Sequence, residues 1–166
     1  MLMQTEFIQL SISIALIGVG FNKAFSPALF KQMNEKKYKG ARKIIFQFLI
    51  VNLILVLITI LVLPFFIKLF LSDKYFDALP IVPYIIIAQG FLNIYIILSN
   101  ILFYIKKTLV LSFLSVISAI IHVFFLYLLI EKYSELGAAI SFLISAFIQT
   151  LLTAIFVYKK ATFLWK

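Results

Sequence analysis

The residues able to do chemistry in this 166-residue chain are few, and each sits inside apolar sequence. Lys23 lies in a run that also holds Asn22 and Pro27. Gln89, Asn93 and Asn100 punctuate another run, and His122 is the single histidine. A lysine held away from bulk water asks for an anion or a hydrated cavity. No acid lies in any apolar run, so its counter-ion must be a ligand anion, a lipid phosphate or a group on another polypeptide. Amides offer donors and acceptors to hydroxyls, or to a neighbouring helix. His122 has no second His, Cys or acid close in sequence. It reads as a buried, hydrogen-bonded histidine rather than a metal ligand or proton carrier. Cysteine is absent, which removes disulfides and thiolate metal sites. There is no Gly-rich phosphate loop, no nucleophile–base pair and no paired carboxylate. Catalysis by this chain, a cofactor and a metal site are therefore not expected.

Spacing sorts the polar residues onto faces. At about 100° per residue, Gln89, Asn93 and Asn100 fall within about 40° of one another. Ser115, Ser118 and His122 fall within about 60°. Gln9, Ser13, Gly20, Lys23, Ala24 and Pro27 form one small-and-polar stripe about 100° wide. Gly137, Ser141, Ser145 and Gln149 recur at four-residue steps. Two readings compete for each seam. Small residues and amides let helices pack closely in lipid, and that is the expectation for the last seam. For the three amides of the third run, a cavity lining is the alternative. Lys23 lies about 12 Å of helix rise before Lys31, so it either snorkels or faces a cavity.

The elements that carry these faces follow from composition. Apolar residues make up 64% of the chain and charged residues 13%, whereas a soluble domain is about a quarter charged. Five charge-poor stretches, 7–30, 44–71, 78–105, 108–130 and 136–158, each suffice for a spanning helix. The expected fold is all-α, a polytopic membrane helical bundle forming one transmembrane domain over 1–166. Strands are excluded, since barrel strands alternate over about ten residues. Lys31–Lys43 is strongly basic, with Glu35 the one acid. The next gap is acidic (Asp73, Lys74, Asp77), then basic (Lys106, Lys107), then acidic (Glu131, Lys132, Glu135), and the tail is basic (Lys159, Lys160, Lys166). This alternation predicts basic loops and the C-terminus in the cytoplasm and the N-terminus outside. The net charge of +9 follows topology, so nucleic acid is not an expected partner. The Lys31–Lys43 gap reads as a loop, with room for a short interfacial helix on anionic lipid. No positive n-region precedes the first stretch, so no signal peptide is expected. An outside N-terminus of this kind is natural if helices precede it.

Three segments carry a family resemblance. LFLSDKYFDALPIVPYIIIAQGFLNIY resembles a pattern in which a helix ends in L-S-x-x-Y and x-A-x-x-I-x-P opens the next. IEKYSELGAAISFLIS resembles I-x-x-Y-G-x-x-G-A-A-I-A-T-x-I-S, with Ser134 in place of glycine and Ser141-Phe142 in place of alanine–threonine. FNKAFSPALFKQMNE resembles the proline-containing end of an earlier helix. The pattern is that of O-antigen-type oligosaccharide flippases of polysaccharide biosynthesis, in the multidrug/oligosaccharidyl-lipid/polysaccharide exporter superfamily. The resemblance implies a twelve-helix, two-lobe transporter around a cavity, of which this chain would supply the last five helices, in a bacterial cytoplasmic membrane. It implies a lipid-linked oligosaccharide as substrate, membrane lipids as surroundings, and a missing N-terminal lobe or self-association as partner. Lys23 would then meet the diphosphate, and Asn22, Gln89, Asn93, Asn100 and His122 would complete the substrate site. The alternatives are a non-transporting scaffold, an inert fragment, or part of a multidrug-type antiporter. The last is disfavoured because cationic drugs call for carboxylates.

Overall fold

The computed structural model describes residues 2–70 and 79–165, with side chains from residue 18 onward except 66, 68 and 70. It contains α1 (Leu2–Asn34), α2 (Tyr38–Phe70), α3 (Val82–Tyr104) and α4 (Thr108–Lys160), followed by a 3-10 turn, Thr162–Leu164. Among the described residues there is no strand, as expected where lipid cannot satisfy an exposed backbone. Three helices there are long and apolar enough to cross a membrane: Tyr38–Phe65, Val82–Tyr104 and Thr108–Lys160. Asp73, Lys74, Tyr75, Phe76 and Asp77 lie outside the described residues. So do Lys166 and the side chains of Gln9, Ser13 and Lys68.

The helix α4 is not a single rod. Ser134 breaks it with φ 48° and ψ −124°. Ser118 Oγ donates to the Ser145 carbonyl at 3.0 Å, and Gln149 Nε2 donates to Ser115 Oγ at 3.3 Å. His122 Nδ1 lies 3.4 Å from Ser141 Oγ. Earlier residues on one side meet later residues on the other, as they do in two antiparallel arms, 108–133 and 135–160. Gly137 is required where the arms meet, because a Cβ there would strike the Leu129 backbone carbonyl. Gly137, Ser141 and Ser145 are all buried. The described residues of the five apolar stretches lie in or next to α1, α2, α3 and the two arms.

The turns are tighter than the charge pattern suggests. Both α1 and α2 continue through the basic Lys31–Lys43 segment, leaving only residues 35–37 between them. In place of the expected long loop, α1 ends in a Schellman turn. Lys37 N–H donates to the Gln32 carbonyl at 2.9 Å and Lys36 N–H to the Met33 carbonyl at 3.0 Å, with Lys36 at φ 54°. The end of α3 repeats this device: Lys107 N–H donates to Leu102 at 2.8 Å, Lys106 N–H donates to Phe103 at 3.0 Å, and Lys106 has φ 57°. Such turns satisfy the last carbonyls of a helix and favour glycine at the left-handed residue. A lysine there costs on the order of 1 kcal/mol.

At the centre of the bundle lies α3, packed against α1, α2 and α4. Pro83 occupies its first turn, where a missing amide proton leaves no helical bond unmade. The main core joins Leu29 and Met33 of α1, Phe48 of α2, and Ile97, Ile101 and Leu102 of α3. Ala161 and Leu164 from the C-terminal turn complete it. The outer faces of α2 and α4 are bulky and apolar, with Leu57, Leu61 and Phe65 on one and Phe113, Ile120 and Phe124 on the other all exposed. That surface suits hydrocarbon and not water.

Candidate functional site

Among the described residues, three groups of polar side chains pair with one another inside the bundle. The first is a relay of amides between α2 and α3. Gln89 Nε2 donates to Asn93 Oδ1 at 3.3 Å, Asn93 Nδ2 donates to Asn52 Oδ1 at 3.0 Å, and Asn52 Nδ2 donates to the Gly90 carbonyl at 3.1 Å. Asn52 and Asn93 are buried and Gln89 is half-buried. Gly18 brings α1 against this relay, since a Cβ on it would overlap the Asn93 amide. A cavity of about 20 Å³ opens beside it, lined among others by Gly18, Thr59, Gln89 and Asn93. That is room for a single water.

The second group ties α1 to α3. Asn100 Nδ2 donates to Asn22 Oδ1 at 2.9 Å and to Ser26 Oγ at 2.6 Å, and Ser26 Oγ donates to Asn22 Oδ1 at 2.9 Å. The third lies along α4. Ser115 meets Gln149 and, at 3.4 Å, the Tyr95 hydroxyl of α3. His122 is half-buried beside Ser141, with its ring edge-on to Phe142 at 6.1 Å. Each group makes at least one hydrogen bond to another helix or arm. Such bonds are the usual adhesive between helices in lipid.

Lys23 belongs to none of these groups. It is exposed, together with Gly20, Ala24 and Pro27, on the face of α1 turned away from the bundle. Nothing lies within 4 Å of the place a Gly20 Cβ would occupy. Among the described residues the one ion pair joins Lys37 to Glu35 at 2.7 Å. The Lys37 ammonium holds the Glu35 carboxyl below the usual carboxylate range, first by its hydrogen bond and then by its charge. Over the residues whose side chains are described, the open face of α1 carries Gly20, Lys23, Ala24 and Pro27 beside Val19, and so is smaller and more cationic than those of α2 and α4. Hydrocarbon is a poor complement to it.

The predicted site residues therefore do not converge on one point. Asn22 and Asn100 share one cluster, Gln89 and Asn93 share another, His122 sits between the arms of α4, and Lys23 lies outside all of these, exposed on α1. Asn52, the hub of the relay, was not singled out by spacing. Its signal was its isolation, a lone amide with only Leu, Ile, Val and Phe from residue 48 to residue 58.

No curated protein and no solved structure matches this chain. The MatE family profile matches residues 6–128, which include most of α1, all of α2 and α3 and most of the first arm of α4. That is more than half of the chain, and its apolar helices are those of a multi-pass membrane protein. The chain thus belongs to the MatE family, whose members are membrane transporters of the exporter and flippase superfamily and not enzymes.

Proposed function

We propose that this chain forms part of a flippase that carries a lipid-linked oligosaccharide across the bacterial cytoplasmic membrane for surface polysaccharide synthesis. Each of α1, α2, α3 and the two arms of α4 crosses the bilayer once, with the N-terminus outside and the C-terminus inside. The open face of α1 looks onto the transport cavity, and a second lobe completes that cavity on the far side. Lys23 meets the diphosphate of the carrier lipid there. Gln89, half-buried and with no partner for its carbonyl oxygen among the described residues, is the amide best placed to offer a hydrogen bond to a sugar hydroxyl. Asn22, Asn93, Asn100 and His122 act by holding α1, α2, α3 and the arms of α4 in register.

The observation that carries this reading is the contrast between Lys23 and the other polar groups. The interior groups pair within the bundle, whereas Lys23 is exposed on a face of α1 whose described residues are mostly small. Keeping a cation at membrane depth costs a few kcal/mol unless water or an anion meets it. The test is surface polysaccharide in cells that rely on this transporter. Lys23→Ala should abolish it at unchanged membrane abundance, Lys23→Arg should retain part of it, and Lys68→Ala, in the last turn of α2, should be nearly silent. Normal polysaccharide with Lys23→Ala would reduce Lys23 to a snorkelling residue and remove the support for this site.

A further inference from the structure

Basic segments that are far apart in sequence are fastened together at one end of the bundle. The Tyr104 hydroxyl donates to the Met33 carbonyl at 3.0 Å, clamping the end of α3 to the end of α1. The Tyr38 ring lies 5.0 Å from that of Phe163, bringing the start of α2 to the C-terminal turn. Ala161 and Leu164 are fully buried in the same core as Met33 and Leu102. The Lys31–Lys43 segment, the Lys106–Lys107 turn and Lys159–Lys160 therefore share one end. Glu35 is the one acid among these segments, and it is already paired with Lys37.

Like charges held this close repel unless counter-ions gather around them. The cluster is also kept against local preference. Lys36 and Lys106 both occupy left-handed positions where glycine is favoured. At its rim, Tyr158 and Trp165 form an exposed aromatic pair with ring centroids 6.1 Å apart, directly beside Lys159 and Lys160. Amphipathic rings of this kind settle at headgroup depth.

We propose that this basic end, with the Tyr158–Trp165 pair at its edge, is a docking surface for anionic phospholipid headgroups. Basic loops alone fix only which side of the membrane the end occupies. The clamped cluster with an aromatic rim adds a surface that enriches phosphate-bearing lipid around itself. The inference stands apart from the transport reading, because it involves neither Lys23 nor the cavity.

Trp165 is the single tryptophan of the chain, so its fluorescence reports the site without labelling. The protein is reconstituted into phosphatidylcholine bilayers containing a minor fraction of phosphatidylglycerol. Bromine, a contact quencher, is placed on the chains of one lipid or of the other, at equal total bromine. Each basic residue near an anionic surface favours it by about fivefold. Quenching per bromolipid should thus be several-fold greater from phosphatidylglycerol, and molar salt should reduce that excess. Replacing Lys106, Lys107, Lys159 and Lys160 together by Gln should reduce that excess several-fold, with helical content unchanged by circular dichroism. Equal quenching by the two lipids around the wild-type chain would overturn the proposal without reference to any variant. A preference undiminished by both salt and the quadruple change would overturn it equally.

Discussion

Asn52 should be the most sensitive amide in the bundle. Asn52→Leu removes two hydrogen bonds at once, its donation to the Gly90 carbonyl and its acceptance from Asn93. The Gly90 carbonyl lies within a helix and keeps a backbone partner, so it is not orphaned. The Asn93 amide loses its acceptor while remaining buried. Interhelical bonds in membrane proteins average about 0.6 kcal/mol and reach about 1.7 kcal/mol. Two of them give an expected loss of about 1–3 kcal/mol for Asn52→Leu. Asn93→Leu breaks the same shared bond and also releases Gln89. The double variant should accordingly lose less than the two single variants combined, by about 0.6–1.7 kcal/mol. The assay is reversible unfolding in mixed micelles, followed by helical circular dichroism as denaturing detergent is raised. Strict additivity, or an Asn52→Leu variant as stable as wild type, would show that the relay does not join α2 to α3 as described.

Gly18→Ala should destabilise by about 1–3 kcal/mol, because the new methyl overlaps the Asn93 amide and must either turn it out of its relay or push α1 outward; the same unfolding titration measures it, and a neutral result would mean that α1 does not approach the relay. Gly137→Ala meets a backbone carbonyl that has no rotamer to move, so it should cost at least as much and increase protease cleavage near Ser134. Lys36→Gly and Lys106→Gly should each stabilise by about 1 kcal/mol by relieving a left-handed lysine; a loss of stability at either position would contradict the turn geometry.

Charge and hydropathy made the helices legible because lipid imposes a length and excludes charge. They placed the ends less well. The basic Lys31–Lys43 segment looks like a loop by composition, yet helix continues through most of it, because a lysine or arginine at a helix end is as compatible with helix as with coil. The 100° periodicity placed Gln89, Asn93 and Asn100 on one face of α3, but a periodicity has no knowledge of partners. Asn52 and Ser26, which take up Asn93 and Asn100, lie on other helices and at unrelated spacings. The stripe of Gly20, Lys23, Ala24 and Pro27 was visible as a stripe. Its exposure was not, since small residues are equally at home between helices of one chain and at a boundary with something else. The hairpin in α4 was implied by the acidic gap around Glu131 and Glu135. Its tightness depends on Gly137 against Leu129, a contact that no composition reveals.

The most direct measurement is flipping itself. The complete transporter is reconstituted into vesicles with a fluorescent diphosphate-linked oligosaccharide lipid, and inner-leaflet label is converted to outer-leaflet label over time. A hydrogen bond to a charged group is worth about 1.5–3 kcal/mol, so Lys23→Ala should slow flipping by roughly ten- to a hundredfold. Lys23→Arg should recover part of the rate, and the Asn52→Leu variant should flip in proportion to the folded fraction. Flipping by Lys23→Ala at the wild-type rate, in vesicles where the wild-type protein moves the lipid, would contradict the assignment of the open face of α1 to the transport cavity.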